Sequence, residues 1–407
     1  MKLKKCRNCQ GKKLTKLFSL GKLSYTGKFP KNINTNIKKT ELTLVMCNKC
    51  SLVQLNNNYN LKYLYGPDYG YRTGINKTMT NHMKNIMKNL SKKIKLKKGD
   101  CILDIASNDG TLLNFFDKRL IKFGVDPLVN KYIQFYKKIN YKISDFFSAE
   151  KIIKKLPNKK FKVITALSVF YDINDPNLFF KDINKILDDN GIFLIEHADL
   201  MSIVKQKMFD TICQEHLTYY SNNIIINMVK NNNLRVFDLR TNNINGGSTQ
   251  YFICKNNAKF KTNYKTINKF VKKENIMRLT NKKTFLRFFN HINKMKRSTK
   301  KYIDKIVSQN KIIHGYGAST KGNVLLQYFG INRKHIKYIA DRNPKKDNHF
   351  TPGTKIKIIT ESKSRRLKPN FYLVLPWHFK KEILNRERNL IKKGSKFIFP
   401  LPSFRVY

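Results

Sequence analysis

Short apolar runs ending in an acid alternate with amphipathic stretches of helical period, and this alternation appears twice along the chain. The first set opens at residues 101–104, Cys-Ile-Leu-Asp, apolar up to the terminal acid as a strand buried on both faces would be. A loop of small and polar residues follows (Ala106, Ser107, Asn108, Asp109, Gly110). Thr111 then opens a helical stretch carrying Leu112, Leu113, Phe115 and Phe116. Further strands are predicted at residues 123–126, 143–147, 161–168 and 192–196, with a helix over 179–187 stopped at Asn190 and Gly191. Strands alternating with helices, with acids at the strand ends, predict an α/β fold built on a parallel sheet. Two more strands, residues 234–237 and 249–253, flank an Asn-Gly-Gly-Ser turn at 245–248.

The second set begins near residue 311, where strand, glycine turn and helix run through residue 323. A strand over 336–341 ends in Asp341 and is followed by Pro344, much as Asp126 is followed by Pro127. Strands at 355–359, 371–375 and 396–399 complete a second, smaller Rossmann-like unit. Residues 78–90 read as a helix with Met79, Met83, Ile86, Met87 and Leu90 on one face. The tyrosine- and glycine-rich stretch 59–74 reads as a loop able to close over a ligand, or as a linker packed by its tyrosines. The expected division is a small module over 1–58, the first α/β unit over 59–255, a Lys-rich helical connecting arm over 256–305 and the second unit over 306–407.

Cysteine spacing adds a metal. Cys6-x-x-Cys9 and Cys47-x-x-Cys50 are two matched knuckles whose four thiolates can converge tetrahedrally on zinc. Four thiolates leave no open coordination position, so the role expected is structural. The formal charge of +56 raises the question of nucleic acid. Lysine runs through every segment and is not gathered into a stripe, which points to a compositional bias and not to a specific nucleic-acid partner; a zinc-knuckle RNA-binding protein is the rival that charge motivates. No run of about 18 apolar residues exists and the first ten residues carry no apolar signal core, so no membrane span is predicted and a cytoplasmic location is the expectation.

The first loop is lined by Asp104 and Asp109 with no Lys or Arg, which disfavours a phosphate and suits a cationic, hydroxyl-rich ligand. S-adenosylmethionine, with its sulfonium and ribose, fits. Asp126, about 20 residues beyond the loop, stands where an acid accepts from both ribose hydroxyls, and Asp145 is placed to reach an adenine amino group. Glu215 and His216, after the fifth strand, offer a carboxylate beside a base of near-neutral pKa. The second glycine turn carries Lys321, so an anionic group is expected at that helix N-terminus.

In order, these motifs resemble the sugar C-methyltransferases that act on nucleotide-linked keto-deoxysugars. The resemblance runs nearly end to end: the two Cys pairs, Tyr69-Gly-Tyr71-Arg-Thr-Gly74, LDIASNDGTLL, GVDP, SVFYDINDP, FDTICQEHLTYYS, NGGS, GYGASTKGN, DRNP and PGT. It implies an N-terminal zinc module, a central class I methyltransferase domain that binds S-adenosylmethionine, and a C-terminal Rossmann-like domain that helps hold a nucleotide-diphosphate sugar. It implies donor contacts at Asp104, Asn108, Gly110, Asp126, Asp145 and Ser168, with Tyr71 near the methyl. His216 becomes the general base, Glu215 its neighbour in the acceptor site, and Cys6, Cys9, Cys47 and Cys50 the zinc ligands. A monomer or weak dimer is expected. Three positions depart from the pattern: Ala106 stands for a glycine, Gln214 for a histidine, and Cys213 for a tyrosine of some members. The remaining rivals are methylation of oxygen on another small acceptor and a nicotinamide oxidoreductase, for which the loop lacks GxGxxG.

Overall fold

Cys101–Ile105 is buried along its whole length because parallel neighbours cover both its edges, Ile121–Val125 on one side and Phe161–Leu167 on the other. The computed structural model describes residues 2–66 and 69–407; Met1, and Pro67 and Asp68 of the tyrosine-rich stretch, lie outside the described residues. Around the central strand the sheet runs Leu234–Asn242, Ser248–Lys255, Leu187–His197, Phe161–Leu167, Cys101–Ile105, Ile121–Val125, Tyr141–Ile143. The last five are parallel, and Ser248–Lys255 is antiparallel to both its neighbours. Strand order reverses beside the central strand, and the loop after it therefore opens on a crevice. Tyr141–Ile143 stops short of the strand expected over 143–147. Ser148 caps the helix Ala149–Lys155, and the chain must turn before it.

The second unit repeats the order. Lys357–Thr360, Tyr338–Asp341, Ile313–Tyr316, Phe371–Val374 and Lys396–Phe399 are parallel, and Arg405–Val406 adds an antiparallel edge. The expected Rossmann-like duplicate is present. The protein is α/β, with two such sheets and a smaller third one.

The third sheet belongs to the cysteine-bearing module: Leu14–Ser24, Lys39–Cys47 and Val53–Leu55, all antiparallel. Its fourth strand is Thr218–Tyr219, which comes from within the first unit. The polar stretch after the fifth strand is thus tied into a different layer. The Lys-rich arm consists of two helices, Tyr264–Met277 and Lys282–Ser308, joined through Arg278 in the left-handed region. Phe285, Phe288, Ile292, Ile303 and Ile306 of the second helix share one apolar core with Leu17 and Phe18 of the module and Ile313 and Leu373 of the second unit. It does more than connect: its apolar face fastens the module to the second unit.

One core residue has a testable cost. His197, at the end of its strand, is fully buried among Phe170, Tyr171, Tyr220 and Tyr251, and neither ring nitrogen has a partner among the described residues. Burial pushes its pKa down to about 3. The folded state keeps it neutral, whereas the unfolded chain takes up a proton below the ordinary value near 6.5, so stability is lost as pH falls from there. In His197→Phe that loss disappears. Between pH 7.5 and pH 5 the unfolding free energy of the variant is expected to gain about 2 kcal/mol on the parent. Denaturant melts at the two pH values measure this, and a pH-independent packing cost cancels in the difference. Equal pH dependence of the two proteins would show that His197 stays neutral in neither state or in both.

Candidate active site

A cavity of about 700 Å³ runs from the loop after Cys101–Ile105 to the glycine turn after Ile313–Tyr316. At one end it is lined by Asp104, Ala106, Asn108, Asp126, Asp145 and Ser168, and at the other by Gly317, Ser319, Thr320, Lys321, Arg342 and Lys346. Tyr71, Glu215 and His216 open on the same space, with Asp172, Tyr65, Tyr69 and Tyr171 beside them.

The acidic end is held by backbone amides. Asp126 accepts from Asn108 N at 2.9 Å and Leu128 N at 2.7 Å, which leaves two of its roughly four lone-pair directions. Asp104 accepts from Thr165 Oγ1 at 2.6 Å, and burial pushes its pKa up to about 7. Asp145 lies past the strand end, half-exposed, and pairs with Lys151 at 2.5 Å, which lowers its pKa. Asn108 lines the cavity, but its side chain is engaged by the tyrosine-rich loop: Oδ1 accepts from Thr73 N at 2.9 Å and Nδ2 donates to Tyr71 O at 3.3 Å. Asp109 accepts from Gly74 N at 3.0 Å in the same way. That loop lies across the acidic end, as a covering loop would, with Tyr71 half-exposed toward the cavity. Gly110 does not line the cavity. It sits in the left-handed region at the start of the helix Thr111–Phe115, and a Cβ there would stand 2.7 Å from Ile139.

Ala106 and Ser168 also adopt positive φ, 57° and 56°. For an L-residue that conformation costs about 1–2 kcal/mol, while a glycine gives back part of this through the unfolded chain. Ala106→Gly is accordingly expected to raise stability by about 0.5 kcal/mol and to leave donor affinity no weaker. Thermal melts with and without donor read both quantities, and a destabilised variant would mean that the Ala106 methyl has a packing role outweighing the strain.

The basic end copies the acidic end's plan with other side chains. Asp341 accepts from Ala318 N at 2.7 Å, as Asp126 does from Asn108 N. Lys321, in the first turn of Thr320–Phe329, donates to Asn245 O at 3.2 Å. Asn245 opens the Asn-Gly-Gly-Ser turn, whose Gly246 lies so close to Trp377 that a Cβ would come within 2.9 Å of it. Lys346 donates to Ala318 O at 2.6 Å, and Arg342 pairs with Glu382 at 3.2 Å.

His216 Nδ1 lies 2.7 Å from Thr211 O. A carbonyl only accepts, so Nδ1 carries the proton and Nε2 presents its lone pair. Burial and then the nearby Lys321 push the His216 pKa down to about 3, which keeps the ring neutral. Glu215 is almost fully buried, and Oε1 has no partner among the described residues. A Cβ on Gly27 would collide with that atom, so a glycine is needed where the module passes this carboxylate. Gln214 points the other way. Its amide donates to Leu23 O and Thr40 Oγ1, both at 3.1 Å, and fastens two strands of the module. Neither Gln214 nor Cys213 lines the cavity. Sequence reading passed over Asp172, Tyr65, Tyr69, Arg342 and Lys346 as site residues. Asp172 stood inside a quoted motif, but nothing in its spacing separates it from Asp175, which caps a helix at the cavity wall.

The four thiols converge. Cys6, Cys9, Cys47 and Cys50 Sγ atoms all lie within 4.8 Å of one another, with Cys6–Cys50 at 3.6 Å and Cys9–Cys47 at 3.4 Å, and all four are free. Tetrahedral zinc with Zn–S near 2.3 Å needs sulfurs about 3.8 Å apart, and the residues fit it.

Fold, acid-lined cleft and thiol cluster define an S-adenosylmethionine-dependent methyltransferase with a structural zinc. Family models match in three consecutive parts: a zinc binding domain over residues 6–65, a methyltransferase domain over 75–239 and a C-methyltransferase C-terminal domain over 243–402. The C-methyltransferase NovU of Streptomyces niveus is 26% identical over 370 residues, spanning 90% of this chain and 87% of its own. A solved S-adenosylmethionine-dependent methyltransferase from Clostridium acetobutylicum aligns over 43% of this chain and 92% of its own, at 14% identity and a TM-score of 0.36. The plantazolicin methyltransferase BpumL, solved with a desmethyl-plantazolicin analogue and SAH, aligns over 48% and 93%, at 13% identity and 0.35. The three matched domains follow one another along the chain, which is an S-adenosylmethionine-dependent C-methyltransferase. Among the described residues, no helix is long and apolar enough to cross a membrane.

Proposed function

We propose that the enzyme methylates the carbon beside the ketone of a nucleotide-linked keto-deoxysugar, with His216 as the base that removes the proton there. The observation that carries this reading is the cavity joining an acid-lined cleft to a basic end bearing Lys321 and Lys346, with His216 opening on it. S-adenosylmethionine supplies the methyl group as a sulfonium. Asp126 has lone pairs left for its ribose. Asp145 reaches the adenine by exchanging Lys151, Asp104 and Ser168 line the cleft, and Tyr71 sits beside the methyl. Gly110 serves by letting the loop turn. Glu215 bonds the sugar. An anionic acceptor near Lys321 offsets the charge that weakens His216, so substrate binding itself strengthens the base.

Mass spectrometry after incubation with labelled donor and a panel of nucleotide keto-sugars tests this, the expected product carrying label on carbon. Solvent deuterium exchange at the same carbon without donor separates enolisation from methylation of oxygen. Label found on oxygen, with no exchange, would overturn the reading.

A further inference from the structure

Asp172 is buried at the cavity wall, one step along the chain from the Tyr171 ring that packs on His216 at 4.2 Å between centroids. Tyr65 Oη donates to its Oδ2 at 2.6 Å, while Oδ1 has no partner among the described residues. Tyr65 lines the cavity as well. A carboxyl with one oxygen braced and the other unpartnered is an unusual thing to bury, because an unmet polar atom costs about 1–3 kcal/mol. Glu215 faces the same problem nearby, and the two groups feel each other's charge.

Two neighbouring buried carboxyls cannot both stay ionised, and their surroundings decide which keeps the proton. Burial raises the Glu215 pKa too, but a hydrogen bond from Thr26 Oγ1 at 3.4 Å and the charge of Lys28 act against that rise. Among the described residues no cation acts on Asp172; burial lifts its pKa well above the carboxylate range, the Tyr65 hydroxyl lowers it in part, and the charge of Glu215 lifts it again. The proton therefore sits on Asp172, and on the oxygen that Tyr65 does not occupy. A neutral acid in the wall of the cavity is a hydrogen-bond donor of the kind that stabilises an enolate.

We propose that Asp172, oriented by Tyr65, is a catalytic residue whose Oδ1–H hydrogen-bonds the ketone oxygen of the acceptor as it becomes an enolate. This deepens the C-methylation reading and rests on it. The C–H bond beside the ketone breaks, its proton goes to His216 Nε2, and its electron pair forms the C=C bond. The carbonyl π pair moves to oxygen, where Asp172 Oδ1–H meets it. On methylation the oxygen pair re-forms the ketone, the C=C pair takes the methyl, and the C–S pair remains on sulfur. Asp172 keeps its proton throughout.

Infrared difference spectroscopy between the parent and Asp172→Asn, in the free enzyme near pH 7, reads the acid directly. The expected result is a protonated carboxyl band present in the parent and lost in the variant. Donor-free deuterium exchange into the ketone substrate reads its role: Asp172→Ala is expected to lose about 10²–10³-fold. Asp172→Asn, which keeps a donor in place, should lose much less and should lack the alkaline limb that ionisation of Asp172 gives the parent. Circular dichroism confirms that each variant folds. Absence of the carboxyl band, or exchange by a folded Asp172→Ala within about threefold of the parent, overturns the proposal. A parent that exchanges no member of the ketone panel overturns the substrate reading instead, and the infrared band then still decides the state of Asp172.

Discussion

His216→Ala is expected to lower kcat by about 10²–10⁴-fold, the range lost with a positioned general base, while donor affinity stays within about threefold. The separation follows from where the residue sits. Its neighbours are Thr211, the Tyr171 ring and Lys321, none of which touches the Asp104 and Asp126 carboxyls that mark the donor end. Calorimetric titration with the donor and a single-turnover methylation assay give the two quantities. The pH dependence adds a sign. With a pKa of about 3 in the free enzyme, the base form of His216 is complete above roughly pH 4 and is lost only below it. No acid limb in kcat/KM between pH 5 and pH 8 should come from this group. A folded variant that turns over within about tenfold of the parent would remove His216 from the chemistry.

Stripping zinc is expected to have the second large effect, abolishing activity and the cooperative melt together. Structural zinc contributes about 10–16 kcal/mol of apparent binding free energy, more than the whole stability of many domains. Loss of the ion here does not stop at the knuckles. Arg7, buried between Cys6 and Cys9, donates to Leu55 O at 3.0 Å and Asn57 O at 2.8 Å, and Leu55 N donates to Leu217 O at 2.9 Å, next to His216. Thr218–Tyr219 is itself a strand of the module's sheet, and Gln214 is stapled to two other strands of it. The module also shares its core with the second unit. Chelation followed by a thermal melt and an assay, with zinc added back to recover both, measures this. Cys9→Ser gives the same result through one ligand. Retention of melt and activity by metal-free protein would mean that the sheet holds the His216 segment unaided.

The periodicity of residues 101–125 and 311–341 made both parallel sheets legible, because a strand buried on two faces has to be an unbroken apolar run and its helix has to be amphipathic. Cysteine spacing made the zinc site legible for a similar reason: four thiolates can do little else together. Asp104, Asp126 and His216 could be marked because each follows a recognisable strand or motif. Gln214 is different. On the page it looked like an altered catalytic position, yet its side chain turns toward Leu23 and Thr40, and only the fold could say so.

What the sequence determined by itself was therefore local: element types, the acidic character of the first loop, and the ligand set of the metal. These depend on a residue and its near neighbours, within one strand, turn or knuckle. The tertiary structure decided what comes from far apart in the chain. It made residues 218–219 a strand of the N-terminal sheet, turned the Lys-rich arm into a shared core, and placed Asp172 and Tyr65 beside Glu215 in one cavity. A carboxyl's proton is set by burial and by charges brought to it from distant segments, Lys28 for Glu215 and Glu215 for Asp172, and no local pattern encodes that difference.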